Sequence, residues 1–353
     1  MPADHILTYA QSLAGGGVER AMLRLADGWI AAGRRVTLVI GDPTGPLAAE
    51  IPAAVEQIQL AGTSYLALFA LARIVRDQRP DIVFCAGNYY TSIAAWLRLR
   101  LGAETPPIVA KMSNAVERDD QGLVFALGNR AWLALHGRFL DHLVAMTPAT
   151  ARTAAIATGM RDRTSIIANP PAWPIAGAAP PGLPAGRFVL GVGRLVPQKR
   201  WDRLIEAMPA LPDDVSLVIL GDGELRGAIE RQVAALGIGG RVHLPGHVAD
   251  PLPTMARATM LALTSDYEGV PGVLREALSV GTPVVTTRSS ESVGEIVDDP
   301  ALGTIVDRDD HAALVAALVD RLGAPRPAPI APPGGDAAER YLRLFDRLVR
   351  PAV

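Results

Sequence analysis

The sequence has a single cysteine, only two lysines and no apolar stretch of the roughly 18–20 residues that a membrane-spanning helix needs. Cys85 has no second thiol for an internal disulfide, and the apolar run around it, 82–86, predicts a buried strand thiol. The first residues lack the basic, apolar and small-residue segments of a secretory signal. From these absences we expect a cytoplasmic protein.

Neither sign of charge is in excess. The 34 basic and 36 acidic residues give a formal net charge of −2, so we expect no nucleic-acid partner. Five of the 6 histidines, all but His247, show no metal-ligand spacing. We expect no cofactor. Because arginine supplies nearly all of the basic residues, Lys111 and Lys199 stand out as sites where the sequence uses a different cation.

Short apolar runs alternate with amphipathic stretches along nearly the whole chain. In the first half the runs 6–10, 36–40, 82–86 and 108–110 predict buried parallel strands, and 18–32 and 66–75 predict helices. In the second half the strands are predicted at 188–191, 216–220, 242–244, 260–263 and 283–286. This alternation is typical of α/β folds with doubly wound sheets, and the length suits two domains.

Two proline-rich stretches interrupt the pattern. The segment 170–186 contains six prolines and three glycines and fits neither helix nor strand, so it predicts a linker between the domains. The second stretch, 324–333, precedes a last predicted helix at 336–348.

The glycines after two of the predicted strands do not form a known phosphate-binding fingerprint. The segment 191–196 lacks the third glycine of G-x-G-x-x-G, and in 221–226 the next glycine, Gly227, comes one place too late. No G-x-x-x-x-G-K-[ST] loop is present. The sequence therefore disfavours dinucleotide and P-loop chemistry.

Two cations follow the first strand of the second half. Arg194 and Lys199 lie in the loop beyond that strand, at the sheet edge where doubly wound folds bind ligands. There they could hold a diphosphate and stabilise the negative charge of a departing nucleotide. The alternative is a solvated turn with ordinary surface cations.

A second polar segment, 265–277, follows the predicted strand 260–263 and leads into a helix. Small residues at 269–272 would let a ligand approach the backbone N–H groups at the start of that helix. Glu268 lies before the helix and Glu276 is predicted in its first turn, so both carboxylates could face one ligand. The alternative is that they complement the helix dipole.

Four segments together carry a family resemblance: GRLVPQKRWDRLIEA, LVILGDGELRGAIE, VHLPGHVADP and SDYEGVPGVLREALSVGTPVV. In this order they resemble the retaining glycosyltransferases of the GT-B fold, family 4. The glycine loop of that family is also matched, by Gly15–Gly17 after the first strand. The resemblance is strong across 188–287 and loose between 40 and 140.

The resemblance implies a donor site for a nucleoside-diphosphate sugar, with no resident metal. Arg194 and Lys199 match the pair that contacts the diphosphate, Glu268 the glutamate near the transferred sugar, and Glu276 the one that binds the ribose. Further donor contacts are implied or proposed at Gly16, Gly17, Gly193, Val270, Gly272, Val273 and His247. For His247 an ordinary turn histidine is the equal alternative.

The acceptor side departs from the family pattern. Many relatives place a histidine after the fifth strand, where this sequence has Lys111 and Asn114. Asn114 cannot act as a general base, but the leaving phosphate oxygen could take the acceptor proton. Lys111 and Asn114 are therefore acceptor-site candidates, with strand-end residues facing solvent as the alternative.

Two further features have competing explanations. The segment 307–310 contains D-x-D, a metal motif in another class of glycosyltransferase, but capping of the following helix explains the segment better. Arginines and aromatics mixed in the first half could dock on an anionic membrane, with core packing as the simpler explanation. They are Tyr89, Tyr90, Trp96, Arg98, Arg100, Arg118, Arg130, Trp132, Arg138 and Phe139.

These inferences combine into one hypothesis. The protein is an α/β GT-B enzyme with two Rossmann-like, doubly wound domains facing a cleft: an acceptor domain at 1–172, a donor domain at 185–330, and a last helix, within 336–353, that crosses back to the first domain. It moves a hexose or N-acetylhexosamine, with retention, from a UDP-sugar (GDP as the alternative) to a glycan or lipid-linked acceptor in cell-surface polysaccharide or glycoconjugate synthesis. The alternatives are a nucleotide-sugar epimerase of the same fold and a non-catalytic nucleotide-sugar-binding subunit.

Overall fold

Two parallel sheets flanked by helices form the protein in a computed structural model that describes residues 2–14, 16–115, 122–172 and 179–349. The chain divides into two units. Unit 1 combines Met1–Pro170 with Pro333–Val353, and unit 2 is Pro171–Pro332. The chain passes from unit 1 to unit 2 within the predicted linker, of which residues 173–178 lie outside the described residues.

Unit 1 has a seven-stranded parallel sheet in the order β3-β2-β1-β4-β5-β6-β7. Its strands are β1 (His5–Ser12), β2 (Arg35–Asp42), β3 (Glu56–Gln59), β4 (Ile82–Cys85), β5 (Ile108–Lys111), β6 (His142–Ala145) and β7 (Thr164–Ile166). The helices are α1 (Gly17–Ala31), α2 (Leu71–Gln78), α3 (Thr91–Leu101), α4 (Leu123–Ala134) and α5 (Pro148–Thr158). The helix predicted at 66–75 starts later, because Tyr65–Ala70 forms a 3₁₀ segment before α2.

Unit 2 has a six-stranded parallel sheet in the order β10-β9-β8-β11-β12-β13. Its strands are β8 (Phe188–Val192), β9 (Ser216–Leu220), β10 (Val242–Gly246), β11 (Met260–Leu263), β12 (Val284–Thr287) and β13 (Gly303–Val306). The helices are α6 (Trp201–Ala207), α7 (Arg226–Ala235), α8 (Leu252–Arg257), α9 (Gly272–Ser279), α10 (Val293–Ile296) and α11 (His311–Leu322).

The last helix, α12 (Ala337–Leu348), packs on α1 of unit 1. The rings of Tyr341 and Phe345 meet Trp29 at centroid distances of 5.9 and 5.3 Å. The two helices approach closely at Gly28, where an added Cβ would lie 2.5 Å from the Cβ of Ala338. A glycine at this point of α1 therefore makes room for α12.

Apolar side chains cover both faces of each sheet, as parallel sheets require. Along β1, Ile6 and Ala10 belong to the cluster that contains α1 and α12, while Leu7 and Tyr9 belong to the cluster on the opposite face. For this reason the central strands are rich in apolar residues. The apolar runs of the sequence therefore predicted where these strands lie. Both sheets are of Rossmann-like type, and the predicted fold class is confirmed. Among the described residues, no helix combines the length and apolarity of a membrane span.

In each unit the strand order reverses once, between β1 and β4 in unit 1 and between β8 and β11 in unit 2. At such a switch point the loops after the two neighbouring strands separate to opposite faces and leave a crevice that suits a ligand. The polar segments of the sequence follow these strands, so most of the candidate site residues lie at the switch points.

Candidate functional site

The two loops at the switch point of unit 2 are bound together by their backbones. After β8 the chain makes a 3₁₀ turn at Pro197–Lys199, and Arg200 adopts a left-handed conformation before α6. The hydroxyl of Thr264, just after β11, donates to the carbonyls of Lys199 and Arg200 at 3.1 and 2.9 Å. Asp266 N donates to Gln198 O at 2.9 Å. These bonds fix the positions from which the side chains of both loops project.

An ion pair joins the two loops. The Nζ atom of Lys199 lies 2.6 Å from Oε1 of Glu268, and the side chains are only 16% and 11% exposed. The hydroxyl of Ser265 donates to the same carboxylate oxygen, also at 2.6 Å. The structure therefore brings two of the predicted catalytic residues together at the switch point, and Ser265 is a third member that the sequence reasoning did not single out.

Arg194 lies on the same loop as Lys199 but is exposed. Its carbonyl accepts a hydrogen bond from the indole of buried Trp201 at 3.0 Å, which fixes the backbone from which the guanidinium extends. Within the residues that the structure describes, the guanidinium forms no ion pair. The loop thus presents one cation bound to a carboxylate and one extended into solvent.

The glycines after β8 and β9 allow two loops to touch. Gly193 N donates to Leu220 O at 2.9 Å, and Leu195 N donates to Asp222 O at the same distance. At Gly221 φ is +144°, and an added Cβ would overlap the Gly193 carbonyl. A side chain at 221 would therefore push the loop carrying Arg194 and Lys199 out of place, which gives this glycine-rich stretch a structural role.

The segment leading into α9 holds the remaining predicted donor residues. The helix begins at Gly272, so Glu276 lies in its second turn; the predicted first-turn position is wrong by one turn because Pro271 is the N-cap. Gly272 is exposed, and an added Cβ would meet nothing within 4 Å, so packing does not explain this glycine. Val270 and Val273 pack on the apolar cluster behind it, which leaves their backbone as the part available to a ligand.

His247 lies apart from this loop pair. It is exposed and follows β10, the edge strand of the sheet, with β9 between β10 and β8. Its role as a donor contact stays a prediction.

A buried arginine supports the loop after β11 from behind. Nη1 of Arg203, on α6, lies 2.7 Å from Oδ1 of Asp266, and Nη2 lies 3.1 Å from Asp309. The Arg203 side chain is 10% exposed. In the D-x-D region Asp310 caps α11 by accepting from Ala313 N at 2.8 Å, which confirms the capping explanation. No group of three or more histidine, cysteine or acidic side chains suited to a metal occurs in the described part of the chain.

The switch point of unit 1 has a different chemistry. Gly16 is the N-cap of α1, and Glu19 in its first turn accepts a hydrogen bond from the Tyr90 hydroxyl at 3.1 Å. An added Cβ at Gly17 would meet nothing within 4 Å. This edge of the sheet thus has a helix that begins at glycine residues and a carboxylate that is hydrogen-bonded to a tyrosine.

Lys111, at the end of β5, is fully buried, and its Nζ donates to Oδ1 of Asn169 at 3.1 Å. Burial lowers the pKa of the ammonium group to about 8, and the Glu19 carboxylate partly opposes this shift. The alternative that Lys111 faces solvent is wrong.

Asn114 is exposed, as the solvent-facing alternative requires. Its backbone N–H donates to Oδ1 of Asn88 at 3.1 Å, and the Ser113 hydroxyl donates to the same atom at 3.2 Å. Asn88 therefore ties the loop after β5 to the loop after β4. The sequence reasoning missed Asn88, although its place directly after a buried strand was a usable signal.

The aromatic and arginine residues proposed as a membrane surface are not all exposed. Tyr90 and Phe139 are buried, Arg98 is paired with Asp141, and Arg118 lies outside the described residues. Core packing explains these two aromatics.

An exposed apolar surface lies instead on α4. Val124, Phe125 and Leu127 are 87%, 62% and 64% exposed, and the first two line a groove of about 710 Å³. The helix has no acidic residue, and its Arg130 is exposed.

Comparison with known proteins agrees with this division. Residues 16–170 match the family model described as "Glycosyl transferase 4-like domain", and residues 182–323 match "Glycosyl transferases group 1". One matched segment lies in each unit, and neither segment includes α12.

Individual relatives are similar over part or most of the chain. The lipopolysaccharide core biosynthesis glycosyltransferase LpsE of Rhizobium meliloti is 36% identical over 130 residues, which span 37% of this chain and 38% of LpsE. A Campylobacter jejuni GalNAc-alpha-(1->4)-GalNAc-alpha-(1->3)-diNAcBac-PP-undecaprenol alpha-1,4-N-acetyl-D-galactosaminyltransferase is 24% identical over 321 residues, covering 87% of this chain and 86% of that enzyme.

The solved structure of Anabaena HepE in complex with UDP and glucose superposes with a TM-score of 0.70 at 19% identity, over 98% of this chain and 95% of HepE. At that identity the superposition shows a shared fold, and this fold is GT-B.

Proposed function

This chain has the GT-B fold of glycosyltransferases, and from that premise we propose that it transfers a hexose or N-acetylhexosamine from a nucleoside-diphosphate sugar to a hydroxyl of a glycan or glycolipid. The observation that carries the proposal is the ion pair of Lys199 with Glu268 at the switch point of unit 2, supported by Ser265. We place the reaction in cell-surface polysaccharide or glycoconjugate synthesis and the protein in the cytoplasm.

Charge development during transfer explains why this site suits a diphosphate leaving group. As the bond between the sugar C1 and the phosphate oxygen breaks, negative charge grows on the diphosphate. Lys199 is held at the end of the loop by the hydrogen bonds of Thr264, and Arg194 extends from the same loop, so both can stabilise that charge. A cation that is already held in place, as Lys199 is by Glu268, costs little reorganisation at the moment of reaction. We propose that no resident metal takes part.

Glu268 is proposed to position the sugar rather than to attack it. Its Oε1 atom already accepts hydrogen bonds from Lys199 and Ser265, which hold the carboxylate in one orientation. We propose retention by a front-face reaction: the acceptor oxygen bonds to C1 on the side from which the diphosphate leaves, and the acceptor proton passes to the leaving phosphate oxygen. Glu276 is proposed to bind the ribose.

The base and the acceptor are proposed from the relatives. HepE was solved with UDP and glucose, which supports a UDP-sugar, with GDP as the alternative. LpsE acts in lipopolysaccharide core biosynthesis and the Campylobacter enzyme on an undecaprenol-linked glycan, according to their names. A glycan carried on a lipid is therefore the acceptor class that we propose.

A lipid-linked acceptor would be met at a membrane surface, and α4 suits such a contact. Three exposed apolar side chains next to an exposed arginine, without an acidic residue in the helix, match the apolar interior and the anionic head groups of a bilayer. We propose peripheral attachment through α4.

A nucleotide panel tests the donor site. Thermal shifts with UDP, GDP and ADP are measured on the wild type, Glu276→Ala and Leu99→Ala, an exposed residue of α3 as the matched control. At 100-fold excess over its dissociation constant, one nucleotide should stabilise the wild type and Leu99→Ala by about 2.7 kcal/mol. The shift should be smaller in Glu276→Ala. If no nucleotide shifts the wild type, the proposal is wrong.

Product analysis separates the alternatives. Altered free sugar formed without an acceptor would identify an epimerase, whereas donor binding without transfer or hydrolysis would identify a binding subunit. The rate should be unchanged after treatment with a chelator, and a loss that added Mg²⁺ or Mn²⁺ restores would contradict the metal-free mechanism.

Vesicle sedimentation tests the membrane contact. Binding to phosphatidylglycerol vesicles should fall in the double variant Phe125→Ser, Leu127→Ser and stay unchanged in Leu99→Ser, whose residue is 76% exposed on another helix. Equal binding by all three proteins would rule out α4 as the contact.

A further inference from the structure

Three tyrosines cluster at the switch point of unit 1. Tyr89 lies in the 3₁₀ turn Asn88–Tyr90, which directly follows the loop after β4. Its ring centroid is 5.0 Å from that of Tyr65 and 5.1 Å from that of Tyr90, with interplanar angles of 73° and 76°. Tyr90 is buried, but Tyr89 is 60% exposed. The cluster thus presents one aromatic ring to solvent at the sheet edge where the topology favours a ligand.

Hydrogen bonds hold this ring in place. The Tyr65 hydroxyl donates to the carbonyl of Tyr89 at 3.0 Å, and the Tyr9 hydroxyl donates to the carbonyl of Tyr90 at 3.1 Å. The Tyr89 hydroxyl donates to Oε1 of Gln11 at 3.4 Å. A ring fixed by two neighbouring rings and by its own backbone loses little conformational entropy when a ligand covers it.

Uncharged hydrogen-bonding groups lie next to the ring in the chain and across the loop. The Asn88 amide precedes Tyr89 and bridges to Ser113 and to the backbone of exposed Asn114. Gln11 contacts the Tyr89 hydroxyl. Because the oxygens of Asn88 and Gln11 already accept these bonds, the side-chain amide of exposed Asn114 is the group that offers both donors and an acceptor to a ligand rich in hydroxyl groups.

A pyranose has the matching composition. One face of the sugar ring presents C–H groups that pack on an aromatic ring, while hydroxyls around its rim bond to amides. We infer that Tyr89 forms the stacking surface of a monosaccharide subsite in unit 1, which binds a sugar ring of the acceptor. This inference rests on the proposed function and narrows its acceptor to a glycan with a pyranose at this position.

The charges near the cluster favour a neutral sugar over a phosphate. Glu19 contacts the cluster, and its carboxylate accepts from the Tyr90 hydroxyl at 3.1 Å. A phosphate placed there would meet a negative charge, whereas a hydroxyl can donate to it.

Ligand-observed NMR tests the subsite without knowledge of the natural acceptor. Saturation-transfer signals are recorded for methyl α-D-glucoside, methyl α-D-galactoside, methyl α-D-mannoside and N-acetylglucosamine, each at about 10 mM, a level suited to the weak binding of single sugars. Glycerol serves as a polyol without a ring, and uridine as a stacking ligand without a pyranose. Tyr89→Ala, Tyr89→Phe and Leu66→Ala are compared with the wild type; Leu66, 74% exposed in the same unit, is the matched control.

At least one sugar should give a signal that Tyr89→Ala weakens by roughly tenfold, because the ring contact is removed. Tyr89→Phe should keep most of the signal, since the ring remains, and Leu66→Ala should keep all of it. Signals unchanged in Tyr89→Ala, no sugar signal in the wild type, or a response to uridine alone would each overturn the inference.

Melting temperature and the UDP shift are measured on the same preparations. A normal UDP shift in a protein that fails the sugar test rejects the subsite and leaves the transferase proposal intact. A sugar signal that depends on Tyr89 in a protein that no nucleotide stabilises supports the subsite and rejects the transferase proposal.

Discussion

The two units share a topology but bind their switch-point loops in different ways. In unit 2 ion pairs connect the loops: Lys199 with Glu268, and Arg203 with Asp266 behind them. In unit 1 mostly neutral groups make the connections, through the amide of Asn88 and the tyrosine cluster, and the Glu19 carboxylate accepts a hydrogen bond from Tyr90. Lys111 is buried and donates to Asn169. Charged loops suit a charged leaving group and neutral loops suit a sugar, so one fold provides two kinds of surface.

The contrast between the two units fails if unit 2 works without its two cations, and this test has the largest expected effect. We expect Lys199→Ala and Arg194→Ala each to lower turnover by roughly 10²-fold or more, because each removes stabilisation of charge that develops in the transition state. Initial rates with a UDP-sugar measure this, and Leu99→Ala should retain the wild-type rate. Near-normal rates in both variants would remove the proposed mechanism.

Unit 2 should also depend on charge for its stability. Arg203→Met leaves Asp266 without its shortest partner, and we expect a loss of about 2–3 kcal/mol in the free energy of unfolding. Arg187→Met, which removes a pair whose side chains are 43% and 62% exposed, should cost less than about 1 kcal/mol. Urea denaturation followed by circular dichroism compares them. Equal losses in the free energy of unfolding would mean that the more buried pair contributes no more to stability than the exposed pair.

Unit 1 should respond to pH through Lys111. Its pKa is lowered to about 8 in the fold, whereas in the unfolded chain it returns to about 10.4. Between these values the unfolded state binds more protons, so stability rises with pH. Relative to Lys111→Met, the wild type should gain roughly 2 kcal/mol between about pH 7.5 and pH 10.

Urea midpoints at the two pH values test this dependence on Lys111. Leu99→Ala, which removes no titratable group, should follow the wild type. A difference between wild type and Lys111→Met that does not change with pH would contradict the assignment.

The smallest expected effect concerns the contact in unit 1 between α1 and α12, which come from opposite ends of the chain. Gly28→Ala places two Cβ atoms 2.5 Å apart between α1 and α12, and we expect a net loss of about 1 kcal/mol after the gain in helix propensity. At Gly128 of α4 an added Cβ meets nothing within 4 Å, so Gly128→Ala should stabilise by up to about 1 kcal/mol. Thermal melts of the two variants should therefore move in opposite directions.

The sequence predicted the central strands and missed short ones. The unbroken apolar runs of β1, β4, β8 and β11 follow from burial on both faces, which any parallel sheet imposes. The edge strand β3 reads Glu56, Gln57, Ile58 and Gln59, and only the isoleucine among them resembles a core residue. This segment is a strand because it pairs with β2. That pairing cannot be predicted from the residues of the segment alone.

The candidate site shows the same limit. Resemblance and position located Lys199 and Glu268, because their loops follow the central strands. The burial of Lys111 and the pairing of Arg203 with Asp266 depend on how helices and neighbouring strands cover them. The exposed face of α4 also escaped prediction, since its apolar residues read like those of any core helix.

The helix α12 has a consequence for the order of folding during synthesis. Unit 2 is contiguous from 171 to 332, so all of its strands are synthesised before α12. Unit 1 begins first, yet Trp29 on α1 stays without Tyr341 and Phe345 until more than three hundred further residues have been added. Domains generally fold as they emerge, N-terminal first. Here the first unit to start is the last to be completed, and a nascent chain interrupted before 337 would expose the aromatic face that α12 covers.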